Sequence, residues 1–295
     1  DKNDKDTLWQ TVYYDESEMK ELYAGLKYIY ALMHASGRTE VMDHLSVSRI
    51  DYCCFGNSKP FRVRIINRLN DNYDHFYVKR ADASRVYGLE LEHILSPNRI
   101  NYITSDDTLI EQHIPGLPGD IFVNDYINDV KFNQTRIAKE FVKFNERCFV
   151  RLLGDMRSYN FVVDITPDIE GNQYRIRAID FDQQSYEGRL KLYMPQYFKE
   201  NNNLVFLGIE SITEKTMKQY QQEERSIISH RVRLARHRLK ELFDVSLKDE
   251  VAPLEKTLAL GKELAEYHQK KKFLKIKHMG KMLKAHIYAC LENKK

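Results

Sequence analysis

Apolar residues recur at Met19, Leu22, Tyr23, Leu26, Ile29, Tyr30 and Met33. That three- and four-residue spacing marks one helix face and predicts a helix over 15–36, stopped at Gly37. From Leu45 the period shortens. Segments 46–54, 61–69 and 75–80 are rich in Val, Ile, Tyr and Phe. Gly56-Asn57-Ser58-Lys59-Pro60 and Asn70-Asp71-Asn72-Tyr73-Asp74 separate them, which predicts three strands in a meander. Residues 83–95 read as a helix ahead of Pro97, and 100–104 and 108–113 as two more strands.

Ile114-Pro-Gly-Leu-Pro-Gly119 places two Pro and two Gly within six residues, which no regular element accommodates, so a lobe boundary belongs there. Beyond it, Ile137, Phe141, Phe144, Phe149 and Leu152 predict a helix over 135–153. Short buried strands follow at 161–164 and 174–179, and from about residue 204 the pattern is helical to the end. No internal repeat is visible.

Composition narrows the class. Of 295 residues, 42% are hydrophobic and 30% charged, with 12 Gly and 7 Pro, a globular rather than disordered or fibrous balance. No apolar run is long enough to span a membrane, and Asp1–Asp6 holds no signal-type apolar segment. Cys53, Cys54, Cys148 and Cys290 have neither zinc-site nor disulfide-framework spacing, so a reduced, cytoplasmic chain is expected. The net charge of +3 conceals an asymmetry: residues 217–295 carry 19 basic against 10 acidic groups. Arg225, Arg231, Arg233, Arg236, Arg238 and Lys240 run without an intervening acid, a surface for phosphorylated substrate, nucleic acid or an acidic membrane. Yet Ile227, Ile228, Val232, Leu234, Ala235 and Leu239 give the run an apolar stripe that reads as packed helix. His230, His237, His268, His278 and His286 read as too dispersed for a metal site, with no Cys or carboxylate at ligand spacing.

The sharpest chemistry lies across the second hairpin. Asp155 precedes Asn160 by five residues, in Leu153-Gly-Asp-Met-Arg-Ser-Tyr-Asn160, and Ala178-Ile-Asp180-Phe-Asp182 closes the next strand. This resembles the protein-kinase-like superfamily, whose motifs are Asp-x-x-x-x-Asn and then Asp-Phe-Gly. The resemblance implies an attacking hydroxyl held by Asp155, Mg²⁺ held by Asn160 and Asp180, and ATP as phosphoryl donor. Asp182 stands where the motif has Gly, a departure from the family pattern.

The same resemblance implies a phosphate-binding Lys on the third strand, here Lys79, oriented by an acid on the next helix. At 100° per residue Glu90 falls among Val86, Tyr87, Leu91, Ile94 and Leu95, while Glu92 points to solvent, so Glu90 is the expected partner. Gly56 in the first turn would approach the phosphates, and backbone groups of Glu111 and His113 would meet the adenine. No Gly-x-Gly-x-x-Gly, His-Arg-Asp or Ala-Pro-Glu is present. Leu-Leu-Gly-Asp155 is nearer the His-Gly-Asp of aminoglycoside- and choline-type phosphotransferases.

The expected fold is therefore α+β and two-lobed. A helical extension over 1–45 precedes an N-lobe over 46–113, with a five-stranded antiparallel sheet and one helix, and a mostly helical C-lobe fills 114–295. The expected function is ATP- and Mg²⁺-dependent transfer to a hydroxyl of a small-molecule substrate. The rivals are a catalytically silent nucleotide-binding module and a nucleic-acid-binding protein using the basic helices.

Overall fold

A computed structural model describes residues 8–38, 40–55, 58–129, 132–169 and 171–292. The chain divides into two compact units, Asp1–Asp82 with Ile100–His113, and Ala83–Arg99 with Ile114–Lys295.

In the first unit β1 (Trp9–Thr11), β2 (Leu45–Cys53), β3 (Phe61–Asn67), β4 (Tyr73–Arg80), β5 (Tyr102–Ser105) and β6 (Thr108–Gln112) form an antiparallel sheet, ordered β1-β2-β3-β4-β6-β5. Among the described residues the sheet thus has six strands, not five. Trp9–Thr11 pairs with Asp51–Cys53, and three residues are too few for an alternation to register in the sequence. Helix α1 (Glu16–Ala35) lays Leu22, Tyr23, Leu26, Ile29, Tyr30 and Met33 on the sheet residues Val47, Ile50, Val63, Ile65, Phe76 and Ile110. The segment expected to be an outlying extension therefore closes the core of this unit. Asp51, 2% exposed, ties the first three strands by accepting from Thr11 Oγ1 (3.0 Å) and Arg62 Nη2 (2.9 Å). Burial works against its charge, but bonds from Arg62 and Thr11 prevail and hold its carboxyl below the usual range.

The second unit opens with α2 (Ala83–Leu95). A three-stranded sheet follows, of β7 (Leu117–Pro118), β8 (Phe161–Asp168) and β9 (Gly171–Ala178). The helices are the single turn α3 (Gly119–Ile121), α4 (Gln134–Arg151), α5 (Asn202–Ser211), α6 (Glu214–Leu234), α7 (Arg236–Ser246), α8 (Leu254–His268) and α9 (Met279–Leu291). Asn133 caps α4 by accepting from the Arg136 amide, and Thr213 caps α6 from Thr216. One core joins Leu91, Ile94 and Leu95 of α2 to Phe149, Val150, Ile228, Val232, Leu239, Phe243, Leu264 and Ile287. No helix among the described residues is long and apolar enough to cross a membrane.

Candidate functional site

Helix α4 ends at Leu152 in the left-handed conformation (φ 54°), which turns the chain toward Gly154 and Asp155. Asp155 is itself left-handed (φ 54°), a conformation that Asp tolerates and β-branched residues do not. Leu153 forms a bridge with Gln184, and the Ser185 amide donates to Leu152 O at 2.8 Å. The segment after β9 is thereby stitched to the loop that carries Asp155.

Asn160 locks this arrangement. Its Nδ2 donates to the carbonyl of Asp155 at 2.8 Å and to Asp155 Oδ2 at 3.3 Å, while its own carbonyl accepts the Ile179 amide at 3.0 Å. Ile179 is the residue before Asp180, so Asp155, Asn160 and the strand end carrying Asp180 belong to one hydrogen-bonded frame. Phe181, 1% exposed, anchors that end. In α2, Gly88 faces it so closely that a Cβ there would lie 2.8 Å from Phe181 Cβ.

Arg157, not singled out in the sequence, is part of the same site. It reaches Asp155 Oδ1 through Nε (2.7 Å) and Glu200 Oε1 through Nη1 (2.9 Å). The bond to Asp155 raises the pKa of the guanidinium. Burial opposes the charge of Glu200, but a bond from its own backbone and one from Arg157 keep it below the carboxylate range. Spacing i, i+2 on a loop was the one available signal for Arg157. Asp182 Oδ2 lies 3.7 Å from Arg85 Nη2, so its charge has a cationic neighbour besides any metal.

The remaining expectations fare differently. Glu92, not Glu90, is the buried acid of α2: it is 2% exposed and ion-paired to Arg151 of α4, itself 2% exposed. Glu90 accepts from Arg238 Nε (2.9 Å) and Nη2 (2.8 Å). Helical periodicity misassigned the two because α2 is buried on almost every side, from Ser84 and Arg85 to Ile94 and Leu95, and a single apolar face does not exist. Lys79 pairs within its own sheet with Glu111 Oε2, at 2.6 Å. The amide of His113, expected to meet a nucleotide, donates to His75 O at 3.2 Å, and its Nδ1 is 3.1 Å from Tyr77 Oη. Burial lowers the pKa of that imidazole. Gly56 lies outside the described residues.

Protein-family models and curated proteins yield no match to this chain. Among solved structures it is similar to one described as "Titin kinase and its flanking domains", at 12% identity and a TM-score of 0.31. The similarity covers 82% of this chain and 54% of that one, so the chain spans about half the length of the structure it matches.

Part of the basic stripe is structural. Arg225 donates to Glu146, Arg231 to the carbonyls of His93 and Ile94 (both 3.1 Å), and Arg238 to Glu90. A second cluster contradicts the sequence reading of the histidines. His286 and Cys290 sit four residues apart on α9, and His268 joins them from the end of α8, with their donor atoms all within 4.8 Å of one another. The i, i+4 spacing was visible in the sequence; the third donor comes from another helix and was not.

Proposed function

We propose that the chain is a kinase-like, ATP- and Mg²⁺-dependent phosphotransferase acting on a hydroxyl of a small molecule. The observation that carries this is the double use of Asn160, whose side chain fastens Asp155 and whose carbonyl fastens the residue before Asp180. Because Asn160 donates through Nδ2, its Oδ1 is left as an acceptor. That oxygen and the Asp180 carboxylate are the hard donors that suit Mg²⁺, so the residues fit the ion. When bound, Mg²⁺ would neutralise charge on the phosphates of the nucleotide.

The protein's own part is positioning. Asp155 would accept the proton of the attacking hydroxyl, and Arg157, itself anchored on Glu200, would fix that carboxylate. Lys79 is the phosphate contact the resemblance implies, and in that role it would exchange Glu111 for phosphate. A second reading, nucleotide binding without turnover, is favoured by Arg157, because its guanidinium already occupies Asp155 Oδ1. Three arginines committed to internal partners leave the basic helices less to offer a nucleic acid than their charge implies.

The test is a melting experiment with ATP, with and without Mg²⁺, on wild type and Asp180→Ala, followed by a phosphate-release assay. A ligand at 100 times its Kd stabilises by about 2.7 kcal/mol. A Mg²⁺-dependent shift that disappears in Asp180→Ala, with phosphate release, supports transfer. The same shift without release supports the silent module. No shift with any nucleotide overturns both.

A further inference from the structure

The histidine–cysteine cluster of the second unit lies among α4, α8 and α9 and is absorbed by neither the phosphotransfer site nor the basic stripe. His286 is fully buried, and its Nε2 is 2.9 Å from the carbonyl of Phe149 on α4. A carbonyl only accepts, so Nε2 carries the proton and Nδ1 presents its lone pair. That lone pair faces His268 Nε2 at 3.0 Å. The sulfur of Cys290, 4% exposed, lies beside the ring, 3.8 Å from Nδ1 and 3.5 Å from Nε2.

Two of these separations are close to the edges of a coordination tetrahedron, and all three donor atoms lie within 4.8 Å of one another. Cys290 and His268 therefore need a side-chain adjustment of up to about an ångström to close on one ion. Bonds of about 2.05 Å to nitrogen and 2.3 Å to sulfur give edges of roughly 3.3 Å between nitrogens and 3.6 Å from nitrogen to sulfur. The two Nδ1-centred edges observed, 3.0 and 3.8 Å, differ from those by a few tenths of an ångström. The bond from His286 to Phe149 O is the kind of outer contact that orients a ligating imidazole. The His268 ring is held as well, stacked on Phe273 at 5.1 Å. On the open side, a cavity of about 540 Å³ is lined by His268 and Cys290 together with Tyr267 and Arg225. Arg225 does not by itself bar a cation, because Glu146 neutralises it.

We propose that His268, His286 and Cys290 bind a divalent transition-metal ion of the zinc type, with a water from the cavity as fourth ligand. Two imidazoles and one thiolate form a borderline-soft set that selects zinc-like ions over Mg²⁺ or Ca²⁺. The balance is simple. The Cys290 thiol releases its proton to solvent as sulfur binds the ion, and His268 moves its proton from Nε2 to Nδ1 without net loss. The bound ion would pin the end of α8 to α9 while leaving one coordination position facing the cavity.

Co²⁺ titration of the full chain tests this, in a Cys53→Ser/Cys54→Ser background so that the vicinal thiols of the first unit do not compete. The expected result is saturation at one ion per chain, with the visible bands of tetrahedral cobalt and a near-ultraviolet thiolate-to-cobalt band, both bleached by Zn²⁺. Cys290→Ser should lose the thiolate band, and His268→Gln should weaken binding by more than about tenfold. Metal-free melting of each variant reports its fold separately. If the background protein gives no thiolate-to-cobalt band, the proposal falls without reference to either variant. Bands that survive in a folded Cys290→Ser also overturn it, because the ion would then sit elsewhere.

Discussion

Lys79 and Glu111 form a diagonal ion pair across β4 and β6, Nζ to Oε2 at 2.6 Å, with side chains only 8% and 7% exposed. The register sets Lys79 opposite Leu109, so the carboxylate reaches it from two positions further along the neighbouring strand. A charge so enclosed is stable only with its partner. Glu111→Gln is therefore expected to cost about 3 kcal/mol, read in a denaturation curve, and Glu111→Leu combined with Lys79→Met to recover much of it. A Glu111→Gln protein that melts with the wild type would show that the pair contributes little.

Gly88 gives a steric handle on Asp180. An alanine there would press on Phe181 Cβ and Cδ1, at 2.8 and 3.0 Å, and on Gln184 Cβ at 3.2 Å. Gly88→Ala should destabilise by about 1–3 kcal/mol and, on the proposed reading of Asp180 as a metal ligand, weaken any Mg²⁺-dependent response to ATP, because Phe181 adjoins that carboxylate. Gly208→Ala is the control. It is also helical but has nothing within 4 Å of its added Cβ, and it should leave nucleotide binding unchanged.

Asp155→Asn preserves the left-handed backbone and removes the carboxylate proposed to accept the proton. Phosphate release should fall by roughly 10²- to 10⁴-fold while ATP still raises Tm. Asn160→Ala should lower both, since it removes the bond that fastens Asp155 and the oxygen proposed to hold the metal. Equal turnover in wild type and Asp155→Asn would remove Asp155 from the chemistry.

His75 predicts a pH response in the first unit. Burial, then the charges of Arg62, His113 and Arg64, pull its imidazole down to about 4 against the opposing pull of Asp74. The unfolded chain takes up this proton near pH 6.5 and the folded chain only near 4. Stability is therefore complete above about pH 6.5 and declines as pH falls toward 4. The slope should be well under the roughly 1.4 kcal/mol per pH unit of a full proton, because the ring is only partly buried and solvent screens it. In His75→Phe this part of the decline should vanish from urea curves taken between pH 7 and 4.

Much of the architecture was legible because its elements are long and periodic. The helix over 83–95 has the bounds of α2, and the strands expected at 61–69 and 75–80 overlap β3 and β4 by most of their length. The three residues of β1 carry no periodic signal, and the fifth and sixth strands were legible only as apolar runs. Within the candidate site, Asp155, Asn160 and Asp180 were visible as a spacing. Their mutual fastening was not, because it depends on a backbone bond from Ile179 that any residue but proline could make at 179. The ion pairs were the least legible part. Glu92 finds Arg151, Lys79 finds Glu111 and Glu90 finds Arg238 through contacts that no local pattern encodes.

Helix α2 interrupts the first unit in sequence and belongs to the second in space. Neither unit is therefore a continuous stretch of chain, and no single cut releases either one whole. During synthesis α2 emerges with Glu92 and its apolar surface well before Arg151 and the later helices that enclose them. The first sheet can be completed as soon as His113 has left the ribosome, whereas the body around α2 must wait for the C-terminal helices.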